Sequence, residues 1–172
     1  HWRYRRKIDQ TCQVFEKVNT GGVILTVFEL MTATFAAENF NLRDDWHARQ
    51  KRLREQKVLK GVSSDAMLQA IALLATSAKR GASLKDGTSP DNAPGIGCKR
   101  KDILDLTRSE YEMWVEPVTK GFLHAAKLLR NQNIFDDRDV PYTSQLTPLA
   151  AIMATLGVRA DLDGVKTKLA RW

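Results

Sequence analysis

Cysteine is scarce, with only Cys12 and Cys98 in 172 residues. Two thiols cannot staple a small secreted scaffold, and such scarcity suits a reducing compartment. No stretch approaches the ~18 consecutive apolar residues of a membrane span. No charged start leads into an apolar stretch in the manner of a signal peptide. Histidine is equally sparse. His1, His47 and His124 stand apart from one another and from both cysteines, without C-x-x-C or H-x-x-x-H spacing, so no metal site is expected. There is no G-x-S-x-G elbow and no Cys–His pairing that spacing selects, so no residue is nominated as catalytic. No Walker A loop ends in G-K-[ST]. Period-two alternation, internal repeats, heptads and low-complexity tracts are all missing. These absences exclude membrane, collagen-like and disulfide-rich classes. They leave the expectation of a soluble, cytoplasmic, basic domain.

The chain has 43% apolar and 27% charged residues, which is a globular balance. A chain this long buries roughly 70% of its unfolded surface and can hold a core unaided. Its formal charge is +7, unevenly placed. Residues 1–60 carry +5, residues 61–130 carry +2, and residues 131–172 are neutral. A polyanion would meet the first third, where the field is strongest.

Periodicity predicts helices throughout. Ile8, Cys12, Phe15 and Val18 form one stripe of a first helix, which Asn19-Thr20-Gly21-Gly22 ends. Val23-Ile24-Leu25 reads as a short extended piece. Thr26 and Glu29 make a capping box, with Phe28, Leu30, Met31 and Phe35 behind it. A third helix is expected over Arg43–Lys57, with a thin apolar face of Trp46 and Leu53. Ser63 or Ser64 caps a fourth, rich in buried-face residues from Met67 to Ala75, with Gly81 as its stop. A long loop over residues 81–101 follows, with four glycines, Pro90 and Pro94. Thr107 and Glu110 form a second capping box before a long helix from Tyr111 to Leu129, where Pro117 predicts a kink or break. Asp136–Pro141 is turn-rich. Thr147-Pro148 reads as a cap before proline at the first helical position, and Gly157 as that helix's stop. A last helix begins near Asp161 or Asp163. The fold class is all-α, an irregular bundle of about six or seven helices in one domain over residues 1–172.

Three features could carry chemistry. The Asn19–Gly22 loop lets a backbone approach an anion closely just before a helix, although a plain turn explains it as well. The start of the chain combines Arg3, Arg5, Arg6 and Lys7 with Trp2 and Tyr4, which suits phosphate contact and base stacking. The Arg43–Lys60 stretch carries Arg43, Arg49, Lys51, Arg52, Arg54, Lys57 and Lys60. Either polyanion contact or the helix macrodipole accounts for it, since its acids come first and its bases last. Lys99-Arg100-Lys101 is similarly open. Asp136, Asp137 and Asp139 read as a solvated turn, and His124 as a polar neighbour of the core.

The run Phe15-Glu16-Lys17-Val18-Asn19-Thr20-Gly21-Gly22-Val23-Ile24-Leu25-Thr26-Val27-Phe28-Glu29-Leu30 resembles a known signature. It is similar to the F-x-R-x-N-x-G-G-x-x-L-x-x-x-E-L segment of the GmrSD-type restriction endonuclease N-terminal domain. The resemblance extends through Phe40–Trp46, Gly121–Leu129, Pro141-Tyr142 and Leu146–Leu149. It implies the helical portion of a ParB/sulfiredoxin-like, nucleotide-dependent protein of prokaryotic DNA restriction and phage defence. It implies a nucleoside triphosphate with Mg in the full-length parent, and no cofactor in this portion alone. Asn19, Gly21 and Gly22 would lie near the nucleotide, with Glu29 supporting the loop. Lys17 replaces the usual Arg, keeping the charge but not the bidentate fork. The family's Asp-Gly-Gln-Gln-Arg motif is missing here, as is any His-Asn-His nuclease pattern. The expected partners are DNA, through Arg3, Arg5, Arg6, Lys7, Arg49 and Arg52, and the remainder of the parent chain. The alternative is a non-catalytic all-α module that binds DNA or protein in some other role. The missing initial Met and the helical ends suggest a fragment of a larger α+β protein, inactive by itself.

Overall fold

The computed structural model describes residues 25–140 and 142–170. The expected first helix, the Asn19–Gly22 loop, Lys17 and the cations Arg3, Arg5, Arg6 and Lys7 lie outside the described residues. Every regular element that is described is helical. The α-helices are α1 (Val27–Ala36), α2 (Leu42–Arg54), α3 (Ser64–Lys85), α4 (Arg100–Leu104), α5 (Arg108–Asn131), α6 (Leu146–Leu156) and α7 (Asp163–Ala170). Short 3₁₀ turns lie at 57–59, 137–139, 143–145 and 157–161. The all-α class therefore holds.

The helix starts follow from side-chain capping. At α1 the Glu29 N–H donates to Thr26 Oγ1 at 3.2 Å, and the Thr26 N–H donates to Glu29 Oε2 at 2.7 Å. At α5 the Glu110 N–H donates to Thr107 Oγ1 at 3.2 Å, and the Thr107 N–H returns to Glu110 Oε2 at 2.9 Å. Each box satisfies two backbone donors that a helix start leaves free. Asn41 accepts from the Asp44 N–H to begin α2, and Ser63 from the Ala66 N–H to begin α3.

Helices α3, α5 and α6 pack against one another at the centre, and α1, α2 and α4 close over α3 and α5. Met31, Phe35, Leu42, Leu53, Met67, Leu68, Ile71, Tyr111, Val118 and Phe122 are almost wholly buried in one core. A smaller cluster of Ala125, Leu128, Leu149, Met153 and Ala160 extends that core along α5 and α6. The α5–α6 crossing is very close. A Cβ on Gly121 would collide with the Ala150 carbonyl, so only glycine lets the two backbones approach this far.

Three expectations need correction. Gly81 does not stop α3, which continues to Lys85 and exits through Gly87 at φ +86°. The left-handed residue that ends a helix is needed at 87, and Gly81 is merely tolerated inside. Pro117 does not break α5, which runs unbroken to Asn131. The carbonyl that loses its partner there belongs to Met113, on the solvent side of the helix, while Val115, Val118 and Thr119 are buried around the proline. Helix α6 begins at Leu146, with Pro148 as its third residue rather than its first. A first-turn proline costs no hydrogen bond, because those N–H groups have no partner in the helix anyway. The long loop accordingly spans only 86–99. It is held by α3: Arg80 donates to the carbonyls of Pro90, Ala93 and Pro94 at 3.0–3.1 Å, and Thr76 Oγ1 pairs with both backbone groups of Gly97 at 3.1 Å.

Candidate nucleic-acid interface

Helix α2 has two differently used polar faces. Leu42, Trp46, Arg49 and Leu53 recur at intervals of four, three and four, so Arg49 falls on the stripe that faces the core. Its guanidinium is spent inside the fold. Nε and Nη2 grip Asp45 at 2.8 and 3.1 Å, and Nη1 donates to Glu116 Oε2 at 2.7 Å and to Thr119 Oγ1 at 3.3 Å. Asp45 Oδ2 also accepts from the Tyr111 hydroxyl at 2.6 Å. Arg52 approaches Glu116 from outside with both terminal nitrogens, at 3.2–3.4 Å.

The electrostatics follow from this geometry. Burial pushes the Tyr111 hydroxyl far above its usual range, and its hydrogen bond to Asp45 pushes the same way. Burial would raise Glu116, but the hydrogen bonds from Arg52 and Arg49 outweigh it and hold the carboxyl low. Arg49 is held protonated: burial opposes its charge, and Asp45 and Glu116 more than compensate. This network ties α2 to α5. Arg49, expected to touch nucleic acid, has no fork left to offer, and Arg52 has largely committed its own.

The opposite face is different. Arg43, His47, Lys51 and Arg54 recur at intervals of four, four and three, and all four are exposed. Arg43, Lys51 and Arg54 have no carboxylate within ion-pair distance among the described residues. The stripe runs about 16 Å, at 1.5 Å per residue. Asp44, next to Arg43 in sequence, accepts from the Asn41 amide at 2.6 Å. The sequence places Arg43, Lys51 and Arg54 among the α2 cations, yet the residues expected to touch DNA are Arg49 and Arg52. Helical phase against Leu42, Trp46 and Leu53 marks Arg49 as inward-facing, whereas Arg52 is engaged by Glu116 of α5, which no spacing within α2 announces.

Glu29, expected to support the Asn19–Gly22 loop, is exposed and bound to Thr26. The Thr26 backbone and side-chain hydrogen bonds hold its carboxyl below the usual range, and the nearby charge of Arg43 adds to this. The stripe therefore starts beside the last polar member of the Phe15–Leu30 signature.

A second cationic feature lies on the other side of α2. Arg52, Glu55 and Gln56 face Leu123, Lys127 and Arg130 of α5 across an open cleft of about 370 Å³. Gln56 Oε1 accepts from Arg130 Nη2 at 2.6 Å. In the turn after α5, Asp136 accepts from the backbone and side chain of Arg138 at 3.2–3.3 Å. Among the described residues, no three His, Cys, Asp or Glu side chains gather where they could hold a metal ion. No helix among them is long and apolar enough to cross a membrane.

Comparison with protein-family models, with curated proteins and with solved structures finds no match for this chain.

Proposed function

We propose that this chain is the helical part of a nucleotide-dependent, GmrSD-like DNA restriction or phage-defence protein, and that it binds DNA without catalysing a reaction by itself. The observation that carries the DNA reading is the exposed Arg43–His47–Lys51–Arg54 stripe beside Glu29. Its cations are free to neutralise phosphates, and its length matches several successive charges of a duplex. The Phe15–Leu30 signature supports the family reading. Asn19, Gly21, Gly22 and Lys17 belong to the proposed nucleotide loop, and Arg3, Arg5, Arg6 and Lys7 add to the proposed phosphate-binding set. The setting is a prokaryotic cytoplasm, with the rest of the parent chain as the other partner.

Fluorescence anisotropy of a labelled duplex, titrated with salt, tests DNA binding. The chain binds with an affinity that falls steeply with salt. Replacing Arg43, Lys51 and Arg54 together by Gln weakens binding and flattens the log–log salt slope by about 0.9 for each phosphate no longer neutralised. A triple variant with unchanged affinity and slope, or no binding at low salt, sinks the proposal. Nucleotide hydrolysis by the isolated chain would contradict the non-catalytic role.

A further inference from the structure

We infer that the cleft between the end of α2 and the C-terminal half of α5 is a binding site for a phosphate group carried on an organic body, with Arg130 as its principal ligand-binding residue. The cleft uses none of the stripe residues, so it stands independently of the proposed DNA surface.

Leu123, Lys127 and Arg130 lie four and three residues apart, which places them on one face of α5. Across from them α2 ends at Arg54, and the chain passes through extended geometry at Gln56 into the 57–59 turn, which also packs on α5. The cleft lies between the end of α2 and this face of α5.

Three cations and one carboxylate, Glu55, line it. Lys127 already has an interaction of its own, so the site depends on Arg130. Arg52 is committed to Glu116, so its charge is largely compensated. Arg130 is not compensated. Its one bond goes to the neutral Gln56 oxygen, and no carboxylate lies within ion-pair distance among the described residues. That single bond orients the planar guanidinium, leaving Nε and Nη1 as donors in fixed directions. Such a fork matches phosphate oxygens, and charge-assisted bonds of this kind are the stronger class.

The rest of the cleft favours more than a bare ion. Leu123 supplies an apolar surface that packs partly on the core. The volume is at the lower end of the roughly 300–1,000 Å³ of small-molecule sites. A phosphate ester fits both parts, with the phosphate on Arg130 and the organic portion over Leu123. A nucleotide and a nucleic-acid backbone both present that chemistry.

The experiment follows the Arg130 side-chain Nε–H resonance of the whole chain by NMR. The probes are inorganic phosphate, adenosine triphosphate and a short DNA duplex, each matched in ionic strength with sodium chloride. Phosphate-bearing probes shift the resonance and sodium chloride does not. A shift with adenosine triphosphate at lower concentration than with inorganic phosphate identifies a nucleotide. A shift with duplex alone identifies a backbone phosphate. Arg130→Gln weakens the effective probe about tenfold or more, which corresponds to about 1.4 kcal/mol, while Arg159→Gln, at an exposed residue that does not line the cleft, leaves it unchanged. Circular dichroism confirms that both variants fold. The inference falls if no probe moves the resonance, if sodium chloride moves it equally, or if the folded Arg130→Gln chain binds as before. In the Arg43, Lys51 and Arg54 triple variant the Arg130 response persists, so failure of the stripe and failure of the cleft are told apart.

Discussion

The Tyr111 hydroxyl donates to Asp45 Oδ2 at 2.6 Å, across 66 residues of sequence, and fixes α5 against α2. The ring of Tyr111 packs edge-on against Phe35 and Phe40, with centroids 5.5 and 5.6 Å away. One residue therefore joins the aromatic core to the charged network that engages Arg49. Because Arg49 is held there, α2 turns Arg43, Lys51 and Arg54 outward.

Removing only that hydroxyl tests the link. Tyr111→Phe keeps the ring packing and is expected to destabilise the fold by about 1–2 kcal/mol, since a carboxylate loses one donor but keeps Arg49. The variant also changes the alkaline limb of the stability profile. Native Tyr111 stays protonated far above the usual range, whereas an unfolded tyrosine ionises near pH ~10. The stability it contributes is complete below that pH and declines as pH rises above it, because only the unfolded chain then releases the proton. Urea midpoints measured through this range fall with pH in the parent and fall less in Tyr111→Phe. Parallel curves would show that the hydroxyl is not buried as described.

Two glycine substitutions are expected to have opposite signs. Gly81→Ala lies inside α3 with open space where its Cβ would go, so it stabilises by about 0.5–1 kcal/mol through helix propensity. Gly121→Ala gains the same propensity but drives a methyl into the α6 backbone at Ala150. Backbone cannot swing aside as a side-chain end can, and overpacking of this kind costs about 1–3 kcal/mol. The net effect is a loss, read from denaturant midpoints. A stabilising Gly121→Ala would mean that α5 and α6 do not cross this closely.

The 86–99 loop depends on α3. Arg80→Ala removes the donor that three loop carbonyls share, and Thr76→Val removes the hydroxyl that pairs with Gly97. Either substitution is expected to speed proteolysis within 86–99 and to speed hydrogen exchange at the Gly97 amide, with the double variant faster still. The core amides of α5 keep their protection, because α5 makes none of these bonds. Cleavage at the parent rate in the double variant would show that the loop is held by something else.

Much of the fold is legible in local pattern. Both capping boxes, the Ser63 cap, the Gly157 exit and the apolar faces of α3 and α5 follow from spacings within a few residues. The departures at Gly81, Pro117 and Pro148 share one cause. Glycine and proline impose local penalties of known size, but whether a helix absorbs them depends on what packs around it. Gly81 meets open space, Pro117 loses its bond on the solvent side, and Pro148 falls where no bond was due.

The candidate interface divides in the same way. Composition and periodicity by themselves determine an all-α chain with its positive charge concentrated early, because charge counts and a 3.6-residue repeat are properties of the strand of letters. Which cations are free is decided only in three dimensions. Glu116 and Tyr111 come from α5, more than fifty residues beyond α2, and no spacing within α2 announces them. Their arrival occupies Arg49 and Arg52 and leaves Arg43, Lys51 and Arg54 facing solvent. The cleft at Arg130 has the same origin, since Gln56 and Arg130 meet across 74 residues of sequence.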